Sequence, residues 1–532
     1  MDPSEMKILL VVGTGGFTHA APVLELGRIL HARGYQIEFA THQGQEKWVE
    51  SPYYSFIKKV YTMGPDMDPE FEDRHYLQMQ QSDIRKDMKR SFAGKVTVDL
   101  FWKDDYAHLK NQVIPECRPN FIVADFFADA VKDINIQLGI PFCHVWPQMP
   151  YGFCPSPFIP GMPGFQIDAL TSEHASLWTR LRAAFRPIRA LPALIDWMWL
   201  MRQMRRTSGV YYTLPMFKKP DYLILVNSFW GLETPKDLPP LVAAVGPVLP
   251  EEYPPLDEEL FEFYKTHRRV VYVAFGTHIR ILPVDLTKFM KALSASLQAG
   301  HIDGVVWAAN AAQMKLFDRD EDLVVSKTNS KVGELLDGKH PSWKFVPFAP
   351  QRAVLDHPHT VLFVTHGGGS SANEALYHGT AMLVLGFYFD QILNALRLTE
   401  AEVALALDKA DFSLNELRAK LTQLLLDHDG SVTRNVLRMQ KIAQVSSRKK
   451  EYGADLIEET LWDHHYSLRE DDSSRKMRSR PMHLQTADMR MSWWKANNWD
   501  LTFVGVLGAA AVVGLGGAVR TLSVSGKLHS IC

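Results

Sequence analysis

The sequence lacks the features of a disulfide-stabilised or zinc-binding protein. Among its 532 residues are only four cysteines, Cys117, Cys143, Cys154 and Cys532, and none stands in a CxxC pair. Without paired cysteines or Cys/His clusters, neither a disulfide framework nor a structural zinc site is indicated, so reduced thiols are expected. The formal net charge is only −2, which gives no electrostatic basis for a nucleic-acid partner.

The opening segment is not expected to be a secretory signal peptide. The opening segment, MDPSEMKILLVVGTGG, passes from a short apolar run into a glycine loop and has no cleavage site. Such a segment is typical of a buried first strand. With 46% hydrophobic and 22% charged residues, the composition is that of a globular protein, long enough for two or three domains.

One long apolar run stands near the C-terminus. Residues 501–519 carry no charge over 19 positions, which is just enough to span a bilayer core of ~30 Å. Three tryptophans, Trp493, Trp494 and Trp499, precede the run where an interfacial belt would lie. The run is predicted to be a transmembrane helix, with a buried Gly/Ala-rich helix as the alternative.

Basic residues are more frequent before this run than after it, and the positive-inside rule therefore places the preceding residues in the cytosol. The expected protein is a single-pass, tail-anchored membrane protein at the endoplasmic reticulum, with its folded domains facing the cytosol. The basic residues before the run are Arg475, Lys476, Arg478, Arg480, Arg490 and Lys495, and those after it are Arg520 and Lys527.

Strand-like apolar runs alternate with helical periodicity in both halves of the chain. This alternation predicts an α/β protein with two doubly wound parallel sheets. Strands are predicted at Met6–Val12, Gln36–Ala40, Phe121–Ala124, Phe142–Val145 and Tyr222–Asn227, and again at Val270–Phe275, Gly304–Ala308, Trp343–Phe345, Val361–Thr365 and Met382–Leu385.

A Pro- and Glu-rich stretch, GPVLPEEYPPLDEE, separates the two halves and predicts a linker. The expected domains are residues 1–245 and 269–445, joined by the linker at 246–268. A helix at 446–466 is expected to follow, and then a flexible, charge-rich tether at 467–500 that leads to the apolar run.

The segment from Leu177 to Arg206 combines tryptophans and methionines with seven arginines. One interpretation is one or two solvated helices with a face toward the core. The other is the wall of a lipophilic pocket that also touches an anionic membrane surface. Both interpretations stay open at this stage.

The clearest chemistry lies between residues 348 and 394. A β-strand ends at His366, three glycines follow, and two serines then open a helix that carries Glu374. Glycines let the backbone approach an anion, and N–H groups at a helix start donate to phosphate oxygens. Further on, Asp390 and Gln391 offer acceptors and donors for a ring of hydroxyls. A diphosphate site beside a polyol site predicts a nucleotide-sugar ligand.

These residues resemble the signature of the family 1 UDP-glycosyltransferases, enzymes of the GT-B fold. The family pattern runs roughly W-x-P-Q, x-x-x-L-x-H, F-x-T-H-x-G, S-x-x-E, G-x-P and D-Q-x-x-N, and many matches at fixed offsets make it specific. The chain departs from it at Phe348, Ser370 and Ala381, where the family has Trp, Asn (in plants) and Pro. The segments that correspond to the pattern are Phe348-Ala349-Pro350-Gln351, Leu355, His357, Phe363-Val364-Thr365-His366-Gly367-Gly368, Ser371, Glu374, Gly379 and Asp390-Gln391-Ile392-Leu393-Asn394.

The resemblance implies two Rossmann-like domains that face a cleft, with the helix at 446–466 packed back on the first domain. It implies that Phe348 stacks on uracil, that Glu374 accepts from the ribose hydroxyls, and that Asp390 and Gln391 hold the sugar. The UDP-sugar-binding residues that it implies are Gly276, Thr277, Phe348, Gln351, His366, Gly368, Ser370, Ser371, Glu374, Asp390 and Gln391.

A histidine follows the first strand, in the loop V-V-G-T-G-G-F-T-H-A-A-P. A dinucleotide site with Glu38 as the ribose acceptor is disfavoured, because Thr18 stands where that fingerprint requires its third glycine. The loop resembles instead the G-x-x-x-H-x-x-P-style loop of the glycosyltransferase family, whose histidine is the general base. His19 is the predicted base, in the loop before a helix that Pro22 opens.

Asp125 is the predicted partner of His19. It ends the strand Phe121–Ala124, at the sheet edge where open α/β folds place functional groups, in the same context as the partner Asp of the family. A neutral His can take the proton of an attacking hydroxyl, and a carboxylate behind it stabilises the imidazolium. Asp129, one turn further on, is the rival for the carboxylate role.

The expected function is the transfer of a sugar from a UDP-sugar to a hydroxyl of a small lipophilic acceptor, with inversion at the anomeric carbon. The expected sugar is glucose, and the expected acceptor is a sterol, terpenoid, polyketide or lipid alcohol. No metal or cofactor is expected, because no paired-Asp motif stands in the site segments and the resemblance implies none. Two alternatives stay open. A nucleotide-sugar epimerase of the same fold would not need the pair of His19 and Asp125, and a non-catalytic membrane scaffold would have lost UDP binding.

Overall fold

The structure is a computed structural model, and it describes residues 2–83, 86–161, 169–212, 219–325, 328–388, 390–467, 481 and 483–528, with the backbone alone beyond residue 515. The chain divides into two compact units, Met1–Arg480 and Pro481–Cys532. Both large sheets lie in the first unit.

In the described residues, the first half of the chain folds around a parallel sheet of seven strands. These strands are β1 (Lys7–Val12), β2 (Gln36–Thr41), β3 (Ile57–Thr62), β4 (Phe121–Asp125), β5 (Phe142–Trp146), β6 (Leu223–Val226) and β7 (Val242–Ala244). Their order across the sheet is β3-β2-β1-β4-β5-β6-β7. Every residue of β4 is buried, as is typical of central parallel strands covered on both faces.

Helices join and cover these strands. They are α1 (Phe17–Ala32), α2 (Pro69–Gln80), α3 (Met88–Ser91), α4 (Ala93–Leu100), α5 (Trp102–His108), α6 (Ile114–Cys117), α7 (Ala130–Leu138) and α8 (Leu177–Thr207). The segment with seven arginines is therefore one helix, α8, although Pro187 and Pro192 lie inside it. Three small residues on one side of α8 are buried, Ala183, Ala190 and Ala193.

The start of α1 corrects one prediction. The helix begins at Phe17, after an N-cap at Gly16, and Pro22 lies inside it. His19 is thus in the first turn of the helix and not in the loop before it. Proline has a helical φ and lacks only its N–H group, so a position near the start of the helix accepts it at the cost of one hydrogen bond.

The described second half forms a parallel sheet of six strands in the order β12-β9-β8-β13-β14-β15, with a separate antiparallel hairpin of β10 and β11. The strands are β8 (Val270–Ala274), β9 (Gly304–Ala308), β10 (Asp322–Val325), β11 (Thr328–Lys331), β12 (Trp343–Val346), β13 (Thr360–Thr365), β14 (Met382–Gly386) and β15 (Ala404–Asp408). The helices are α9 (Glu258–Thr266), α10 (Pro283–Gln298), α11 (Ala311–Met314), α12 (Val332–Leu336), α13 (Gln351–Asp356), α14 (Gly369–His378), α15 (Asp390–Glu400), α16 (Leu414–Leu426), α17 (Ser431–Ser446) and α18 (Lys449–Ser467).

Helix α18 crosses back from the second half and packs on α1. Nζ of Lys450 lies 2.7 Å from Oε1 of Glu25, and both side chains are buried. Nε1 of Trp462 donates to the hydroxyl of Tyr35 over 3.1 Å. These contacts join α18 to α1 and to the residues that follow it.

The strands expected from the sequence are present with shifts of one residue or so at their ends. The shorter or less apolar strands β3, β7, β10, β11 and β15 were not predicted. β3 exposes Lys58 and Lys59 at its outer edge, and β7 has only three residues, so neither carries a clear apolar pattern.

The second unit contains α19 (Trp493–Ala496) and α20 (Trp499–Leu528). Of the predicted tether, residues 468–480 and 482 lie outside the described residues, and α19 makes part of the remainder helical. The predicted span 501–519 lies in α20, but in the described part of the chain no helix is long and apolar enough to cross a membrane. The transmembrane prediction is therefore not supported.

Candidate active site

His19 and Asp125 meet at the carboxyl edge of the first sheet. His19 lies in the first turn of α1 and Asp125 is the last residue of β4. The distance between Nδ1 of His19 and Oδ1 of Asp125 is 2.9 Å, while Oδ2 of Asp125 accepts from the N–H of Phe127 over 2.9 Å. Gly15 has a φ of 104°, and a Cβ there would lie 2.6 Å from Cδ2 of His19. The imidazole is thus held between a carboxylate and a close glycine backbone.

The electrostatics of His19 suit a base. Burial opposes a charge on the ring, but the Asp125 carboxylate outweighs it and raises the pKa of His19 above its ordinary value, with a smaller contribution from Asp390. An ionised carboxylate only accepts hydrogen bonds, so Nδ1 is the protonated nitrogen of the neutral ring. Nε2 then carries the lone pair that can accept a proton.

Residues of the competing interpretations are engaged elsewhere. Asp129 forms an ion pair with Lys132, with 2.6 Å between Oδ1 and Nζ, and it does not contact His19 in the structure. Glu38 lies 2.9 Å from Nζ of Lys7 and accepts from a tyrosine hydroxyl in the same sheet.

Aromatic side chains continue from His19 along the first domain. The imidazole stacks on Phe127 with 4.8 Å between ring centroids. Phe126 lies beside Phe127 and 4.8 Å from the ring of Trp146, which in turn meets Phe153 edge-on at 5.7 Å. These aromatic rings are half-buried. They form an apolar wall next to the candidate base.

The glycine loop after β13 surrounds His366. A Cβ on Gly276 would lie 3.0 Å from Cε1 of His366, and a Cβ on Gly368 would lie 2.5 Å from its Nε2. Gly276 and Gly367 both have a φ of 79°, a conformation that glycine adopts without strain. Burial, followed by the nearby charge of His278, lowers the pKa of His366 to about 4. His366 is therefore neutral at physiological pH and can donate one N–H group.

Helix α14 begins at Gly369, directly after this loop. The N–H of Gly369 donates to Oδ2 of Asp390 over 3.1 Å. Oγ of Ser370 donates over 3.3 Å to the carbonyl oxygen of Thr18, in the first turn of α1. The start of α14 and the start of α1 therefore face each other, which brings the candidate base and the candidate diphosphate site together.

Gln351 and Glu374 form the polar floor of the site. Nε2 of Gln351 donates to Oε2 of Glu374 over 2.8 Å and to Oγ of Ser371 over 3.2 Å. Burial raises the pKa of Glu374, and the hydrogen bond from Gln351 partly opposes this. Phe348 is 77% exposed, so a face of its ring is accessible for stacking.

The predicted sugar-binding pair begins α15. Oδ2 of Asp390 accepts from Nδ2 of Asn394 over 3.3 Å, and Nδ2 also donates to the carbonyl of Gly367 over 2.9 Å. Gln391 is buried, and its Oε1 accepts from the N–H of Phe387 over 3.1 Å. Burial raises the pKa of Asp390. The oxygen of Gln391 thus supports the turn before α15.

Sequence reasoning missed a set of contacts around Thr277. Nδ1 of His278 lies 2.9 Å from Oε1 of Glu72, on α2, and Arg280 pairs with Asp73 of the same helix at 2.6 Å. A Cβ on Gly16 would lie 3.3 Å from Nε2 of His278. Thr277 itself is exposed three residues after the end of β8. Helix α2 therefore contacts the second half beside the glycine loop through these two pairs. No local sequence motif predicts them.

Comparisons with known proteins agree with this geometry. The family model for UDP-glucoronosyl and UDP-glucosyl transferase matches residues 213–447. A UDP-glycosyltransferase of Talaromyces amestolkiae is 42% identical over 524 residues, covering 97% of this chain and 97% of that protein. The UDP-glycosyltransferase FPY2 of Fusarium mangiferae is 39% identical over 531 residues, covering 95% of this chain and 96% of its own.

Among solved structures, a UDP-glucose: anthocyanidin 3-O-glucosyltransferase in complex with UDP superposes with a TM-score of 0.55 at 18% identity, covering 85% of this chain and 98% of that one. This likeness shows the fold, GT-B, with two Rossmann-like domains built on parallel sheets. The relatives of about two-fifths identity over nearly the whole chain show the family. The chain belongs to the UDP-glycosyltransferases, enzymes that transfer a sugar from a UDP-sugar donor.

Proposed function

We propose that this protein transfers glucose from UDP-glucose to a hydroxyl of a small lipophilic acceptor, with inversion at the anomeric carbon and His19 as the general base. The observation that carries the proposal is the 2.9 Å contact between Nδ1 of His19 and Oδ1 of Asp125. It leaves Nε2 as the proton acceptor, beside the loop of the second half that suits a diphosphate.

The reaction is a single displacement. The acceptor oxygen attacks C1 of the sugar while its proton passes to Nε2 of His19. The C1–O bond to the diphosphate breaks, and UDP leaves with the electron pair. Asp125 stabilises the imidazolium through the hydrogen bond to Nδ1, as in the carboxylate–histidine logic of a catalytic triad. The raised pKa of His19 is consistent with this task.

The leaving diphosphate would be met by neutral groups. Backbone N–H groups at the start of α14, the glycine loop and the remaining N–H of His366 are the candidate donors. Thr277 is exposed three residues after the end of β8, and its hydroxyl is a further candidate. No metal is assigned a role in this scheme.

The rest of the donor would lie along α13, α14 and α15. Phe348 would stack on the base and Glu374 would accept from the ribose, with Gln351 fixing its carboxylate. Asp390 and Gln391 would face the hexose hydroxyls. Asp390 also contributes to the raised pKa of His19, so the sugar-side carboxylate and the base act in one electrostatic environment. This supports placing C1 of the sugar near Nε2.

The half-buried aromatic rings of Phe126, Phe127, Trp146 and Phe153 support a lipophilic acceptor, because such surfaces bury apolar rings efficiently. An aromatic wall next to the base accommodates an alcohol whose body is apolar and whose hydroxyl points at Nε2. The location predicted from the sequence, at the endoplasmic reticulum with the catalytic domains in the cytosol, stays a prediction that cell fractionation would test.

Two alternatives are less well supported. A nucleotide-sugar epimerase of the same fold has no use for a base at the acceptor side, whereas half-buried His19 is paired here with buried Asp125. A scaffold without activity has no use for this base either.

The test is to incubate the protein with UDP-glucose and a panel of sterols, terpenoid alcohols, polyketide phenols and lipid alcohols, and to examine the products by NMR. A β-glucoside formed from the α-linked donor supports the proposal. An α-glucoside would contradict inversion. Free epimerised sugar without any glycoside would favour the epimerase, and UDP binding without any product would require another donor sugar or acceptor.

A further inference from the structure

Helix α8 carries an exposed apolar stripe along most of its length. Large apolar side chains recur every three or four residues on the face that points away from the core, with exposures from 40% for Leu181 to 69% for Trp178. Such spacing places them on one side of a helix. The exposed stripe consists of Leu177, Trp178, Leu181, Phe185, Ile188, Leu191, Ile195, Met198 and Trp199.

The opposite face of α8 holds the helix on the first domain. Ala190 and Ala193 are buried against Phe92. Near the C-terminal end, Arg205 forms a buried ion pair with Asp133, with 2.5 Å between Nη2 and Oδ1, and the indole N–H of Trp197 donates to Asp99. The stripe is therefore exposed because the helix is fixed by its other side.

The charge of α8 is strongly one-sided. Its 31 residues contain seven arginines and one acidic residue, Asp196, in a protein whose formal net charge is −2. One arginine, Arg205, points inward to Asp133. A recess lined by Lys86, Asp87, Lys89 and Arg189 adjoins the helix, and Lys89 pairs with Asp196. The other arginines are Arg180, Arg182, Arg186, Arg189, Arg202 and Arg206.

We propose that α8 is an interfacial membrane-docking helix that lies on an anionic lipid bilayer. A continuous apolar stripe with tryptophans near both ends and arginines beside it matches the surface that inserts a short distance into the headgroup region, while the basic side chains contact anionic headgroups. The helix is about 46 Å long at 1.5 Å per residue, so the contact is extensive. This surface mode does not require a helix that spans the bilayer.

A second copy of the chain fits the same face less well. A two-fold interface would place α8 against itself, and the exposed arginines of one copy, Arg180, Arg182, Arg202 and Arg206, would meet those of the other. Like charges in contact disfavour such pairing. An anionic bilayer instead offers charges of the opposite sign to the arginines. Docking on a membrane would also bring the first domain, with its aromatic wall, to the phase in which lipophilic alcohols dissolve.

Sedimentation of the full-length chain with sucrose-loaded vesicles tests the proposal. We expect binding to phosphatidylcholine vesicles that contain phosphatidylserine to exceed binding to pure phosphatidylcholine by roughly 10-fold, and to fall as salt screens the arginines. The stripe variant Phe185→Glu/Ile188→Glu changes two side chains that are each 57% exposed, and it should lose this binding. Because α20 also exposes apolar residues, the matched control is Val512→Glu/Val513→Glu, at 69% and 74% exposure, which should bind like the wild type.

Several results would overturn the proposal that α8 docks on a membrane. These are absence of wild-type binding to either vesicle, binding that the stripe variant retains, and binding that only the α20 control loses. A concentration-dependent dimer that the stripe variant abolishes would also overturn it, because a second copy would then cover the stripe. UDP affinity and circular dichroism of each variant, measured in parallel, show that the domains stay folded. The vesicle result is independent of the proposed acceptor and of the role of His19.

Discussion

Oγ of Ser370 lies 3.3 Å from the carbonyl oxygen of Thr18, across 352 positions of sequence. Inside a helix this carbonyl would accept from the N–H four residues further on, but that residue is Pro22, which has none. The Ser370 hydroxyl thus donates to a carbonyl that proline leaves without its helical partner. The contact ties the turn that carries His19 to the start of α14.

Removing the Ser370 hydroxyl should slow sugar transfer without weakening the binding of UDP. In Ser370→Ala the loss of one hydrogen bond is expected to lower kcat/KM for the acceptor about 5-fold, because the turn that carries the base is no longer held against α14. Ser370→Thr keeps a hydroxyl and is the control. UDP affinity by calorimetry should stay near the wild-type value. A parallel loss of UDP affinity would assign Ser370 to the phosphates and contradict the tie.

The acid limb of the pH–rate profile should report His19. The base must be neutral, so activity is lost as pH falls through a pKa that Asp125 raises. In Asp125→Asn the raising carboxylate is gone while burial still opposes the charge, so the acid limb should move to lower pH. The maximal rate should fall by roughly 10- to 1000-fold because the imidazolium loses its stabilisation. A limb that stays in place would show that another group titrates.

Two glycines allow a matched test of the loop around His366. Gly276 and Gly300 have φ angles of 79° and 72°, so alanine strains the backbone at both, but only at Gly276 would the new Cβ meet His366, at 3.0 Å. Both variants should lose about 1 kcal/mol of stability. Gly276→Ala should in addition lose at least roughly 10-fold in kcat/KM for UDP-glucose. Equal activity in both variants would contradict the placement of the diphosphate against this loop.

Metal removal should leave the rate unchanged. The proposed scheme neutralises the leaving diphosphate with N–H groups at the start of α14 and with His366. Activity in EDTA should therefore equal activity in magnesium within experimental error. A rate that is lost in EDTA and restored by a divalent cation would show that a metal ion, and not these N–H groups alone, neutralises the charge of the leaving diphosphate.

Much of the site could be predicted because its residues sit at strand ends. Asp125 and His366 directly follow buried, β-branched runs, and the loop after β13 has glycines that serve only a close backbone approach. The pairing of His19 with Asp125 was predicted from the position of Asp125 at a strand end together with the family resemblance of both segments. The start of α1 was not, because Pro22 is a common first residue of helices and here it stands inside one.

Contacts between the two halves could not be predicted from local patterns. Glu72 and His278 are 206 positions apart, and neither stands in a motif, so only the packed fold brings them together. The same applies to Asn373, whose Nδ2 donates to the carbonyl of Asn227 over 2.7 Å. In the sequence alone, polar side chains of this kind cannot be told apart from surface residues. Their partners depend on how the two domains face each other.

The most direct test compares UDP release by the wild type and by His19→Ala, with UDP-glucose and the acceptor panel, while UDP affinity is measured on both proteins. We expect acceptor-dependent release by the wild type and a loss of roughly 100- to 10,000-fold in the variant, with unchanged UDP affinity. Acceptor-dependent release by His19→Ala at the wild-type rate would contradict the assignment of His19 as the base.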